Sequence, residues 1–221
     1  MEPTFYYEMI TPESMEEGKK YPVLFALHGV GLNERKMLDI FEGVRDKYIL
    51  IGIRGHRPLK KGYAYYYLKG YGQPERGQLD ESIELLINFV DYACNKYPID
   101  SQKVYIGGFS QGAILSNALA LIMGDKVKGI VSLNGYVPTF LQEKFPFKSI
   151  AHLSVFLSVG ENDTIFSPEV AKESYDYFVN GGADVDYKIY QTGHEIGQEN
   201  KNDITKWLLK ETERELTSLL F

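Results

Sequence analysis

Runs of Val, Ile, Leu and aromatic residues recur along the chain at 21–29, 48–55, 103–110, 128–135, 153–160 and 185–192. Each is short, bounded by Gly, Pro or charged residues, and rich in apolar side chains, so each predicts a strand buried on both faces. The segments between them carry helical spacing instead. In residues 79–97, Leu79, Ile83, Leu86, Ile87, Val90 and Ala93 share one stripe, Asp80 and Glu81 sit in the first turn, and Pro98 follows the end. That pattern predicts a surface helix packed on a sheet. Helices are also expected at 111–123, 168–180 and 202–219, and a further strand at 4–11. Strand and helix in alternation predict an α/β fold with a mainly parallel central sheet, helices on both faces and right-handed crossovers. No repeat, low-complexity tract or linker divides residues 1–221, so a single domain is expected, without a large cap.

Composition narrows the partners rather than the fold. With 221 residues, 44% of them hydrophobic and 24% charged, the chain can bury one sizeable core. A net charge of -6 gives no electrostatic reason to bind nucleic acid or an anionic membrane. Cys94 is the single cysteine, so no internal disulfide can form, and no Cys and His spacing suits zinc; no metal is expected. The stretch "MEPTFYYEMI" lacks a basic segment followed by an apolar run, no run is long enough to cross a bilayer, and lipidation motifs are absent. These features predict a cytoplasmic protein.

The chemistry is concentrated in "KVYIGGFSQGAIL", residues 103–115. Here a strand runs into Gly108-Phe109-Ser110-Gln111-Gly112 and then into a helix, the setting in which a GxSxG sequence forms a sharp turn that exposes its serine as a nucleophile. A serine that merely caps the helix is the competing reading. The decision rests on partners, because a hydroxyl attacks only when a base takes its proton and an acid holds that base in the right tautomer. Asp163 follows the strand at 153–160 and His194 follows the strand at 185–192, in the order Ser, acid, His. Glu161 competes for the acid role, but it lies at the strand end itself, whereas Asp163 precedes an apolar pair and a proline. Among the other histidines, His56 reads as surface, His152 as structural and His28 as serving a turn beside the site. Backbone N–H groups must also face the developing oxyanion. Gln111 supplies one as the residue after the nucleophile, and "ALHGVGLNE" supplies the other from Val30 or Gly31, with Val30 preferred.

Together "LHGVGLNE", "GGFSQGA", "LNGYVP", "VGENDTIFSP" and "TGHEIGQE" resemble the phospholipase/carboxylesterase family of α/β-hydrolases, which includes bacterial carboxylesterases and acyl-protein thioesterases. The similarity runs from about Tyr21 onward. It implies the α/β-hydrolase fold, a catalytic triad at Ser110, Asp163 and His194, and oxyanion donors at Val30 and Gln111. The chain departs from the thioesterases at VGLNE, where they usually carry a Gly-Asp pair, and at Asn134, where they often have serine. A carboxylesterase of bacterial type is closer.

Substrate preference must then come from loops. Tyr63, Tyr65, Tyr66, Tyr67 and Tyr71 fall in one connection, and Tyr136, Phe140, Phe145 and Phe147 in another. Tyr66 and Tyr136 are the candidates for substrate contact; the other rings read as cover for the sheet. The expected function is hydrolysis of small to medium carboxylic esters through an acyl-enzyme, with no cofactor. The alternatives are thioesterase, lysophospholipase, peptidase or lactone-hydrolase activity on the same fold, or a binding protein that has kept the fold without its chemistry. Exposed aromatics leave a homodimer open.

Overall fold

The protein was analysed as a computed structural model that describes residues 4–70 and 73–218. Its centre is a seven-stranded sheet of β1 (Tyr7–Ile10), β2 (Tyr21–Leu27), β3 (Ile49–Ile53), β4 (Ile99–Phe109), β5 (Gly129–Leu133), β6 (Ser154–Gly160) and β7 (Asp184–Tyr190), in the spatial order β1-β3-β2-β4-β5-β6-β7. Only β1 runs antiparallel, pairing Tyr7 with Ile53 and Ile10 with Leu50; every other neighbouring pair is parallel. The helices are α1 (Glu34–Phe41), α2 (Arg76–Lys96), α3 (Gln111–Met123), α4 (Pro168–Asn180) and α5 (Gln198–Ser218). Leu219, the expected end of the last helix, lies outside the described residues. Among the described residues no helix is long and apolar enough to cross a membrane.

Alternation along the strands splits the core in two. Val23, Phe25 and Leu27 of β2 point to the face covered by α2, α3 and α4, while Leu24 and Ala26 point to the face covered by α1 and α5. Fully burying a Leu, Ile or Phe side chain contributes about 1.5–3 kcal/mol, so the strand runs themselves supply much of the driving force. α3 is buried along nearly its whole length, as its position over the middle of the sheet requires.

Three expectations need correction. β7 is not buried on both faces: Asp184, Asp186 and Lys188 are exposed, because this strand forms the sheet edge, and it packs through Val185, Tyr187 and the buried Tyr190. α2 starts at Arg76 rather than 79, since the Glu75 side chain caps the Gln78 N–H at 2.9 Å; Asp80 is consequently buried and pairs with Arg76 at 2.8 Å. α1 is an additional helix, nucleated by Asn33, whose side chain accepts from the Lys36 N–H at 3.2 Å, and anchored by Met37, Leu38, Ile40 and Phe41. The connection from β3 to α2 forms two small antiparallel ribbons, Arg57–Pro58 with Tyr63–Ala64 and Leu68–Gly70 with Gln73–Pro74, which sit over the carboxyl edge of the sheet near the loop after β2.

Candidate active site

The loops that follow β2, β4, β6 and β7 all leave the carboxyl edge of the parallel sheet, and they carry Val30, Ser110, Asp163 and His194. Ser110 has φ 54° and ψ -115°, a conformation that costs a non-glycine residue on the order of 1–3 kcal/mol. It is held there by its N–H, which donates to the Leu133 carbonyl at 2.9 Å, and by the closeness of its flanking glycines. A Cβ on Gly108 would lie 2.2 Å from the Gly112 carbonyl, and one on Gly112 would lie 2.0 Å from the Leu27 carbonyl oxygen. The turn therefore needs both glycines for close backbone approach. The Ser110 hydroxyl makes no helix-capping bond; its Oγ lies 2.9 Å from His194 Nε2.

His194 Nδ1 in turn lies 2.8 Å from Asp163 Oδ2. The imidazole is flanked by the rings of Phe109 and Phe166, with centroids at 4.9 and 5.7 Å. Asp163 is buried, and its carboxylate is fully engaged. Oδ2 also accepts from Asn134 Nδ2 at 2.8 Å, and Oδ1 accepts from the N–H groups of Ile165 and Phe166 at 2.8 and 3.0 Å. Burial alone pushes this carboxyl up, but the donors Asn134, His194, Phe166 and Ile165 outweigh it and hold the group below the usual aspartate range. Glu161, the competing acid, is exposed. The fold thus brings Ser110, His194 and Asp163 into one hydrogen-bonded line and leaves Glu161 out of it.

A sequence model of the Phospholipase/Carboxylesterase family matches residues 13–212. The chain belongs to that family. It is a hydrolase of the carboxylesterase and thioesterase type. MhqD of Bacillus subtilis is 26% identical over 193 residues, covering 87% of this chain and 94% of MhqD. Acyl-protein thioesterase 1 homolog 1 of Dictyostelium discoideum is 26% identical over 204 residues, covering 85% and 89%. In fold, the chain is similar to the Bacillus cereus carboxylesterase, with a TM-score of 0.82 at 24% identity over 94% of each chain. The Mesorhizobium loti carboxylesterase follows with a TM-score of 0.80 at 21% identity, over 93% and 94%.

On the loop after β2 the Gly31 N–H donates to the Tyr63 carbonyl at 2.9 Å, and Val30 lines the cleft. Gln111 does more than its N–H implied from sequence: its side-chain Oε1 accepts from the Tyr65 N–H at 2.7 Å and its Nε2 donates to the Tyr66 carbonyl at 2.8 Å, stapling the tyrosine segment to the start of α3. His28 is fully buried. Its Nδ1 lies 2.7 Å from the Gly29 carbonyl and its Nε2 accepts from the Gly55 N–H at 2.8 Å, so the neutral ring ties the β2 loop to the end of β3.

The cleft above Ser110 has a volume of about 370 Å³. Leu32, Leu68, Ile114 and Ile165 line it, with the rings of Tyr66 and Tyr136. The other aromatic candidates lie elsewhere. Tyr65 and Phe145 are in the core, Tyr63 stacks with Arg54, the Tyr67 hydroxyl donates to the Pro58 carbonyl, and Phe140 and Phe147 pack against the core. Tyr71 lies outside the described residues. His152 is structural, its Nε2 lying 3.2 Å from the Val127 carbonyl. His56 is not a surface residue: its ring packs edge-on against Phe5 at 5.4 Å, and both nitrogens are buried without a hydrogen-bond partner.

Burial pushes the His28 imidazole down to about 4, against the opposing pull of its bond to the Gly29 carbonyl. In the unfolded chain the ring binds its proton near 6.5, so between those values the unfolded state holds more protons and stability rises with pH. The contribution of neutral His28 is therefore fully present above about 6.5 and is lost as pH falls toward 4, a difference on the order of 3 kcal/mol. His56, also lowered by burial, acts in the same direction. Melting temperatures of wild type and His28→Gln across this range test the expectation: the wild type should lose more stability on acidification, and equal slopes would refute it.

Proposed function

We propose that this hydrolase cleaves carboxylic esters through an acyl-enzyme on Ser110, with His194 as general base and acid, Asp163 as the group that orients it, and the Val30 and Gln111 N–H groups as oxyanion donors. The observation that carries this reading is the continuous line from Ser110 Oγ through both His194 nitrogens to Asp163 Oδ2, at 2.9 and 2.8 Å. Ser110 Oγ attacks the ester carbonyl carbon as its proton passes to His194 Nε2, and the carbonyl oxygen becomes an oxyanion facing the backbone donors. The intermediate collapses, the bond to the leaving oxygen breaks, and His194 returns the proton to it, releasing an alcohol and leaving the acyl group on Ser110. Water then repeats the attack with His194 as base, releasing the carboxylic acid and restoring the hydroxyl. Asp163, held ionised, stabilises the imidazolium formed in each half-reaction.

The cleft favours an uncharged acyl or aryl group of small to medium size, because apart from His194 the residues that line it are apolar, aromatic or uncharged polar. Tyr66 and Tyr136 are the proposed contacts with that group. Thioester cleavage is a second reading, favoured by the open mouth: Val30, Leu68 and Ile165 are 45, 50 and 41% exposed, which leaves room for a bulky thiol leaving group.

A pH profile of kcat/KM with a soluble aryl ester tests the base. His194 must be neutral to accept the Ser110 proton, so the rate should rise with pH as the imidazolium is lost and then level off. His194→Ala should abolish both the activity and the rise, while His152→Ala should leave the profile in place. A rise that persists in His194→Ala and disappears with another histidine would overturn the assignment. Running esters and matching thioesters of graded acyl length under the same conditions ranks the two leaving groups.

A further inference from the structure

The buried amide of Asn134 lies behind the proposed acid and is absorbed by no step above. Asn134 follows β5 with φ 52°, a left-handed conformation that Asn tolerates better than most residues, and it is held there as its N–H donates to the Ser158 carbonyl at 2.8 Å. That backbone turns Nδ2 onto Asp163 Oδ2 at 2.8 Å, the same oxygen that faces His194 Nδ1, and brings it within 3.4 Å of the carbonyl of Gly193, the residue before the histidine. The other end of the amide is wasted: Oδ1 is buried without a hydrogen-bond partner among the described residues.

We infer that Asn134 is a positioning residue for this site, whose donor end locks the Asp163 carboxylate toward His194 and shares its charge; the inference rests on the esterase reading above. With Asn134 in place Asp163 has two donors on each oxygen, so it has no reason to rotate or take up a proton while His194 alternates between neutral and charged forms. Sharing Oδ2 also moderates the pull of the carboxylate on the imidazolium. No other charge takes part, since Glu161 and Glu195 on the adjoining loops and Glu169 in the first turn of α4 are exposed, and the faces packed on the imidazole are Phe109 and Phe166.

The test compares Asn134→Gly, which keeps the left-handed backbone, with Asn134→Asp, which keeps shape but replaces the donor with an acceptor. With one aryl ester, Asn134→Gly should lower kcat about tenfold with KM nearly unchanged, the size expected for one hydrogen bond to a charged group. It should also displace the rise of kcat/KM with pH by ~0.5 unit upward, because an unshared carboxylate favours the imidazolium more. Asn134→Asp should be worse, about a hundredfold in kcat with a larger upward displacement, since a second carboxylate is forced against Asp163. A purely structural role predicts the reverse order, because glycine deletes buried volume and aspartate does not. The His194 ring titration followed by NMR in a Ser110→Ala background reads the same displacement without turnover. Equal damage from both variants, or profiles and titrations that do not move, would overturn the inference while leaving the esterase reading intact. Turnover that survives His194→Ala would overturn both.

Discussion

Ser110→Ala will lower ester turnover by on the order of 10⁴-fold or more while leaving the fold in place. The expectation of lost turnover follows from the site: Oγ is the atom in line with His194 Nε2 at 2.9 Å, and no other hydroxyl is bonded to that nitrogen among the described residues. The expectation of an intact fold follows from the same geometry. Ser110 caps nothing, its backbone bond to Leu133 does not involve the side chain, and alanine inherits the same strained φ rather than adding to it. A melting temperature within a few degrees of wild type should therefore accompany the loss. Turnover within tenfold of wild type would mean that the serine serves the turn alone.

Asp163→Asn is the second large effect, expected at about 10⁴-fold in kcat. Asparagine has the shape of aspartate but only one acceptor oxygen. The N–H groups of Ile165 and Phe166 are fixed by the backbone and demand that oxygen at the Oδ1 position, which turns the NH₂ toward Asn134 Nδ2 and His194 Nδ1. Nδ1 then has to accept, the ring proton moves to Nε2, and the base presents a donor to a hydroxyl whose proton it should take. Glu161→Gln should change kcat by less than about threefold, the usual scale for an exposed group outside the hydrogen-bonded line. Steady-state kinetics of the two variants decides the acid; a larger loss in Glu161→Gln would reverse the assignment.

The parallel sheet was readable because its inner strands are continuous apolar runs, and the three polar residues of the site stood out because each lies just beyond the end of a strand, Ser110 and Asp163 after inner strands and His194 after the edge strand β7. What was not readable depends on neighbours distant in sequence. The exposure of β7 follows from its place at the sheet edge, although its alternating Asp184, Asp186 and Lys188 already hint at one wet face. α1 is eight residues long, too short for periodicity to rise above the glycine-rich loop before it, and only the Asn33 cap marks its start. The small ribbons between β3 and α2 are shorter than the period that would reveal them. His28 reads from its strand-end position as serving the turn beside the site, but its partner Gly55 and the partners of the Gln111 side chain and Asn134 carry no sequence signal, because each bonds to a segment brought beside it only by the completed sheet.

The central claim is that Ser110 forms a covalent intermediate, and intact-mass measurement after reaction with a fluorophosphonate tests it most directly. The account predicts one adduct per chain, mapped by peptide analysis to Ser110, absent in Ser110→Ala and greatly slowed in His194→Ala. Folded wild-type protein that takes up no label, or takes it up at a residue other than Ser110, would contradict it.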